Sequence, residues 1–260
     1  MNNKILLVII FISIIIFYLL NNNNEKFTVV SNLVDIQIVV ARYNESVDWI
    51  NEEPFNKYPV ICYNKGINNN YNIKKKHDIV KLPNKGRCDH TYLYHIINNY
   101  DDLHDITLFL PGSTDLHYKL HKAKALIQAL EYHKRTVFIG NYYKNVKEDL
   151  YNFTIDNYKC QYSQNNLLHV EDGIDKSKIR PFGKWFESKF GNRKINVISY
   201  WGIIGISREH IHQHPVSYYR DLINELDYSN PEVGHYIERS WAAIFYPINE
   251  AIFINQDDIN

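Results

Sequence analysis

Gly86-Arg87-Cys88-Asp89-His90-Thr91 brings together a turn-forming glycine, a forked cation and a carboxylate where a helical pattern begins. Free N–H groups at a helix start favour an anion, and a guanidinium beside them suits a phosphate or diphosphate. The plainer alternative is that Asp89 caps the helix and Arg87 is its surface ion pair. Asp115-Leu116-His117 offers an oxygen and a nitrogen ligand that an extended chain could present to a divalent metal, with a solvated loop as the alternative. His210, His212 and His214 also suggest metal binding, yet on a helix only His210 and His214 share a face, and Pro215 ends that helix. Near the C-terminus, Glu238-Arg239-Ser240-Trp241 sets a carboxylate beside an aromatic wall, a combination for sugar binding and proton abstraction. An intrahelical ion pair with a core tryptophan is the competing reading.

The elements that must position these groups are written as apolar runs. Asp35–Ala41, Tyr58–Tyr63 and Ile106–Leu110 read as strands buried on both faces. Val137–Gly140 and Ile195–Ile206 add strand-like stretches, with Gly202 and Gly205 as points of bend or close approach. Helical spacing covers Asp89–Tyr100, Tyr118–His133, Val216–Leu226 and Gly234–Phe245, and the tail from Ile248 reads as an edge strand. This order predicts an α/β fold, a single domain with a largely parallel central sheet and flanking helices. The Tyr- and Asn-rich stretch Asn141–Asn166 has no clean period. Ligands of such sheets lie beyond the carboxyl ends of the strands. Arg42, Asn44 and Glu45, then Asn64 and Lys65, then Ser113, Asp115 and His117 follow successive strands and become candidates, although any chain turning into solvent is polar there.

Composition narrows the partners. The chain has 29 basic and 29 acidic residues and a pI near 7.2, without the positive footprint of a nucleic-acid binder, so no nucleic acid is expected. Lys74, Lys75 and Lys76 read as a solvated loop in preference to a phosphate or lipid contact. Cys62, Cys88 and Cys160 have no metal-binding spacing; one pair could bridge in an oxidising compartment. The sequons at Asn44 and Asn152 become usable only in the secretory pathway.

Ile5–Leu20 is uncharged and apolar apart from Ser13 and Tyr18, and as a helix it reaches about 24 Å, enough for a thin bilayer. Asn21–Asn24 follow directly, without the small residues of a cleavage site, so an uncut membrane anchor is expected over a cleaved signal. The expected order is a tail at 1–4, a transmembrane segment at 5–20, a polar stem at 21–34 and a globular domain at 35–260. The simpler topology has a cytoplasmic N-terminus and a lumenal or external domain.

The series VVARYNE (Val39–Glu45), Trp49, YNKG (Tyr63–Gly66), LPNKGR (Leu82–Arg87), HTYLYHIINNYDDL (His90–Leu103), FLPG (Phe109–Gly112), HPVSYY (His214–Tyr219) and GHYIERSW (Gly234–Trp241) resembles the domain-of-unknown-function family 3431 across nearly all of residues 35–246. Pro111 and Cys88 depart from the family pattern, which has Gln before the glycine of FLPG and an acidic residue after GR. The family layout is in turn similar to nucleotide-sugar glycosyltransferases of the GT-A type. That resemblance implies a nucleotide-sugar donor bordered by Asn44 and Glu45, with Arg42, Asn64, Lys65, Arg87 and His90 on the donor or phosphate side. It also implies a divalent metal, Mn or Mg, at Asp115 with His117, a base at Glu238, and an acceptor side at Trp201 and Trp241. The expected activity is sugar transfer to a hydroxyl of a glycan or glycoprotein. A catalytically silent glycan-binding surface or virion protein is the alternative, and a hydrolase using Asp115 and His117 ranks behind both because no supporting motif accompanies them.

Overall fold

Every second residue of the first strand faces a different core, and that alternation builds the molecule. In the computed structural model, which describes residues 34–72, 77–146, 149–157, 173–194 and 196–259, residues 34–260 form one compact unit. The strands are β1 Ile36–Arg42, β2 Val60–Asn64, β3 Asp78–Lys81, β4 Ile106–Pro111, β5 Val137–Tyr142, β6 Val197–Ile198, β7 Ile204–Ser207 and β8 Ile252–Asn255. The helices are α1 Arg87–Asn98, α2 His117–His133, α3 Phe182–Phe190, α4 Arg208–His212, α5 Val216–Ile223, α6 Glu232–Glu238 and α7 Trp241–Ile244.

Ile36, Ile38 and Val40 of β1 join Ile106, Leu108 and Leu110 of β4 in one core with Ala123, Leu126, Ile127 and Leu130 of α2. Val39 and Phe109 point the other way, into a larger core with Tyr92, Leu93 and Ile96 of α1 and the aromatics of α3, α6 and α7. The period of two thus covers both faces of the sheet, as the apolar runs required.

The sheet order is β3-β2-β1-β4-β7-β5-β6, with β8 added to β5. β3, β2, β1 and β4 are mutually parallel, and β8 is parallel to β5. β7 runs against both β4 and β5, and β6 runs against β5. Six of the eight strands thus run in one direction and β6 and β7 run against them, so the sheet is mixed with a parallel majority. A β-branched run reads the same in either direction, and the connections decide its sense.

β3 also escaped the sequence reading. It is a four-residue, largely exposed edge strand with charged ends, the form in which edges are kept from pairing with other chains. α3 was not among the helices expected from the sequence, although Phe182, Trp185, Phe186 and Phe190 do stand at helical spacing after Pro181. The helix expected at Gly234–Phe245 is two pieces, α6 and α7, broken at Arg239 and Ser240.

Among the described residues no helix is long and apolar enough to cross a membrane. The anchor expected at residues 5–20, the stem up to residue 33, the triplet at Lys74–Lys76 and Cys160 lie outside the described residues. Cys62 and Cys88 are free thiols.

Candidate functional site

β2 and β3 lie on one side of β1 and β4 on the other, so the chain changes direction between β1 and β4. In open α/β sheets the crevice beyond the carboxyl ends at such a switch is where ligands bind. The polar residues ending β1, β2 and β4 all border it.

Arg42, at the end of β1, is almost wholly buried. Its guanidinium donates to Glu45 O at 2.7 Å, Asn64 Oδ1 at 2.6 Å, Asn68 O at 3.0 Å and Asn70 Oδ1 at 2.8 Å, under the Tyr71 ring. Asn68 Nδ2 donates to Asn44 Oδ1 at 2.8 Å. Arg42, Asn44 and Asn64 thus knit the β1 and β2 loops to the Asn-rich segment. Gly66 fits there because a Cβ would fall 1.5 Å from Tyr43 O. Glu45 turns the other way. Its carboxylate accepts from the Tyr43 and Asn44 N–H groups at 2.7 and 3.0 Å and lies against Gly112 at the end of β4, where an added Cβ would come within 2.7 Å of it.

Gly86 and Arg87 both have positive φ, 56° and 53°. A side chain at Gly86 would strike His90 and Leu226 at 2.6 Å. The buried Lys65 ammonium holds this turn by donating to Lys85 O and Arg87 O, and burial brings its pKa down to about 8. A left-handed arginine opening a helix is strained backbone of the kind that clusters at functional sites. Its guanidinium nitrogen lies 2.6 Å from His235 Nε2. Burial, then Arg87 and Arg239, hold His235 well below the usual histidine pKa, so the ring is neutral and can accept. His90 lies one turn into α1, buried, with its pKa lowered to about 4 chiefly by desolvation.

Asp89 is not the cap. Gly86 occupies that position, and Asp89 is the third residue of α1, buried, with Trp241 Nε1 donating to its Oδ1 at 3.2 Å. Burial first, then the neighbouring Glu238 carboxylate, push the Asp89 pKa up to about 7, against the opposing pull of Arg87 and its own backbone N–H. Glu238, at the end of α6, accepts from the Trp201 N–H at 2.9 Å. Trp201 has φ 70° and belongs to the excursion between β6 and β7, where Gly202 O accepts from Tyr92 at 2.8 Å.

Lys119 of α2 donates to Ser113 Oγ at 2.7 Å. Burial lowers its pKa, while Cys88, Glu238 and Glu45 raise it and Arg87 lowers it, so these groups share one electrostatic neighbourhood. Glu45, Arg87, Asp89, Lys119 and Glu238 therefore converge from four segments, the loop after β1, α1, α2 and α6. Asp89 and Lys119 were not singled out in the sequence for this purpose. Their signals were a carboxylate at N3 of a helix that begins with glycine, and a lysine on an otherwise apolar helix flank.

The remaining candidates sit elsewhere. Trp241 is fully buried and serves Asp89 instead of forming an open acceptor wall. Trp201 is half-buried beside Tyr118, with Lys122 Nζ 4.7 Å from its ring. Asp115 and His117 are both exposed at the entrance to α2. His210, His212 and His214 have separate partners, the backbone carbonyls of Asn249, Tyr100 and Tyr246. Among the described residues no three His, Cys, Asp or Glu side chains converge as a metal-binding set. Asp115 is a single exposed carboxylate with His117 two residues away, and a Mn or Mg ion there would take its remaining ligands from substrate phosphates and water.

A comparison with curated proteins finds no relative. The family model described as "Protein of unknown function (DUF3431)" matches residues 38–257, a span that includes every residue of the crevice, and the chain belongs to that family.

Proposed function

We propose that the domain is a glycosyltransferase-like enzyme that moves a sugar from a nucleoside-diphosphate donor to a hydroxyl of a glycan or glycoprotein, and that residues 5–20 anchor it to a membrane. The observation that carries this reading is the convergence of a buried carboxyl titrating near neutrality, Asp89, with Glu238, Arg87 and Lys119 at the switch point of the sheet. The 3-2-1-4 order of the parallel strands is that of doubly wound nucleotide-binding sheets, which supports a nucleotide as guest at the level of the fold.

In this mechanism Arg87 and Lys119 neutralise the charge that grows on the diphosphate as its bond to the sugar breaks. The acceptor oxygen forms the new bond to the sugar, and its proton passes to the Asp89–Glu238 pair. The Glu238 carboxylate beside Asp89 favours its protonated form, and a base titrating near the working pH is the effective kind. Glu45 borders the donor side against Gly112, and Trp201 presents a partly open ring on the acceptor side.

The test is release of nucleoside diphosphate from UDP- and GDP-sugars by the full-length chain, with and without glycan acceptors. Asp89→Asn and Glu238→Gln are expected to lower turnover at least a hundredfold. Glycan binding without any turnover would select the silent glycan-binding reading, for which the aromatic pair Tyr118 and Trp201 is the supporting feature.

A further inference from the structure

We propose that His117 and His121 form a two-histidine chelate for a nitrogen-preferring divalent ion such as Zn²⁺ or Ni²⁺, on the exposed first turns of α2. The proposal is independent of the sugar-transfer reading and uses none of the crevice residues.

The two residues are four apart on one helix, so their side chains share a face. The two Nε2 atoms stand 3.1 Å apart, with ring centroids 4.4 Å apart and planes inclined at 56°. Two imidazole nitrogens bound to one ion at 2.0–2.1 Å, with an angle between square and tetrahedral, stand roughly 2.9 to 3.4 Å apart. The pair already has the bite of a chelate, on one face of a regular helix.

The chemistry of the surroundings selects the ion. Imidazole suits zinc, nickel and copper, whereas magnesium and manganese prefer oxygen ligands. Lys122 and Lys124 lie on the same helix, and the helix N-terminus also disfavours a cation. Against that repulsion only an ion with strong metal–nitrogen bonds is expected to bind. Two protein ligands leave the other coordination positions open to water or to donor atoms of a second molecule. The competing explanation for the short contact is a hydrogen bond from one neutral ring to the other, which requires no ion.

Isothermal titration of the full-length chain in detergent with ZnCl₂ and NiCl₂ decides between them. One site for each ion is expected, at least tenfold weaker in His117→Ala and in His121→Ala and unchanged within twofold in Asp115→Ala. MnCl₂ and MgCl₂ are expected to leave the site unfilled. Alanine is the best helix former, so both variants keep α2, which far-UV circular dichroism verifies. Absence of zinc binding by the unaltered chain, or zinc binding retained within twofold in His121→Ala, would overturn the proposal. Equal weakening by Asp115→Ala together with competition by MnCl₂ would overturn it as well, in favour of an oxygen-rich site.

Discussion

The indole N–H of Trp241 donates to the Asp89 carboxyl across 3.2 Å, from a helix that begins 152 residues later in the chain. This contact ties the start of α1 to the start of α7 and fixes Asp89 beside Glu238. The indole can donate to either protonation state, so it is burial beside the Glu238 carboxylate that makes the ionised form of Asp89 costly.

That relationship sets the pH dependence of stability. The Asp89 pKa rises from 3.8 to about 7 in the fold. The folded chain therefore keeps a proton that the unfolded chain releases, and stability contributed by neutral Asp89 is full below about pH 4 and lost as pH rises through 7. Asp89→Asn, whose amide oxygen can still accept from Trp241, is expected to melt higher than the unaltered domain at pH 8. The advantage should shrink to nothing by pH 4, while turnover is lost at every pH. Denaturant midpoints across that range check this, and a constant difference between the two would remove the titrating carboxyl from Asp89.

Glu232 supports a different prediction, about the segment that sequence periodicity left unread. Its side chain is fully buried and accepts from Ile155 N and Ser177 N, both at 2.8 Å, and from Arg180 Nε at 2.8 Å. One carboxylate thus fastens the ends of the segments before and after residues 158–172 to α6. Breaking a buried ion pair by removing one partner costs about 3 to 5 kcal/mol, and Arg180 is partly exposed, so Glu232→Gln is expected near the lower end, about 3 kcal/mol. Urea denaturation measures it, and a loss under 1 kcal/mol would show that Glu232 is not the clasp.

How much of this was legible is clearest at β1 and α1. The runs Ile36–Val40 and Ile106–Leu110 are apolar apart from Gln37 and Thr107 and rich in β-branched residues, which suits a sheet covered on both faces, and both strands lie there. α1 was equally plain from Tyr92, Leu93 and Ile96. Direction and partnership were not legible, because they depend on contacts between distant residues. Ile204–Ser207 gave no sign that it would run against β4. Asp89 looked like a cap because only the pairing with Trp241 and Glu238 shows it as a buried carboxyl. Asp115 and His117 looked like a metal pair because an extended chain was assumed. His117 instead opens α2, which gives it His121 as its neighbour.

The apolar segment at Ile5–Leu20 yields a test that needs no enzymology. An uncut anchor should keep the full-length chain in the membrane pellet after carbonate extraction, because about 16 apolar residues partition into the bilayer far more strongly than a peripheral contact. A soluble product beginning near Asn21 would instead identify a cleaved signal. Removal of residues 1–31 should leave the compact unit beginning at Val34 folded.

Donor binding separates the roles assigned within the crevice. A ligand at about 100 times its dissociation constant adds about 2.7 kcal/mol, and for a domain of this size each kcal/mol raises the melting temperature by roughly 2 to 4 °C. UDP or GDP is therefore expected to raise it by about 5 to 11 °C, and repeating the measurement in EDTA separates a metal-dependent shift from a metal-free one. Arg87→Ala and Lys119→Met should each remove much of the shift, because both cations act on the diphosphate. Arg87→Ala also leaves His235 without the guanidinium beside it, so the melting temperature of that variant without ligand must be the reference. Glu238→Gln should retain the shift yet fail to transfer sugar, since a base acts on the acceptor hydroxyl and not on the donor. A shift that vanished in Glu238→Gln would place that carboxyl on the donor side, and one that appeared only with Mn²⁺ or Mg²⁺ would return a metal to the reaction.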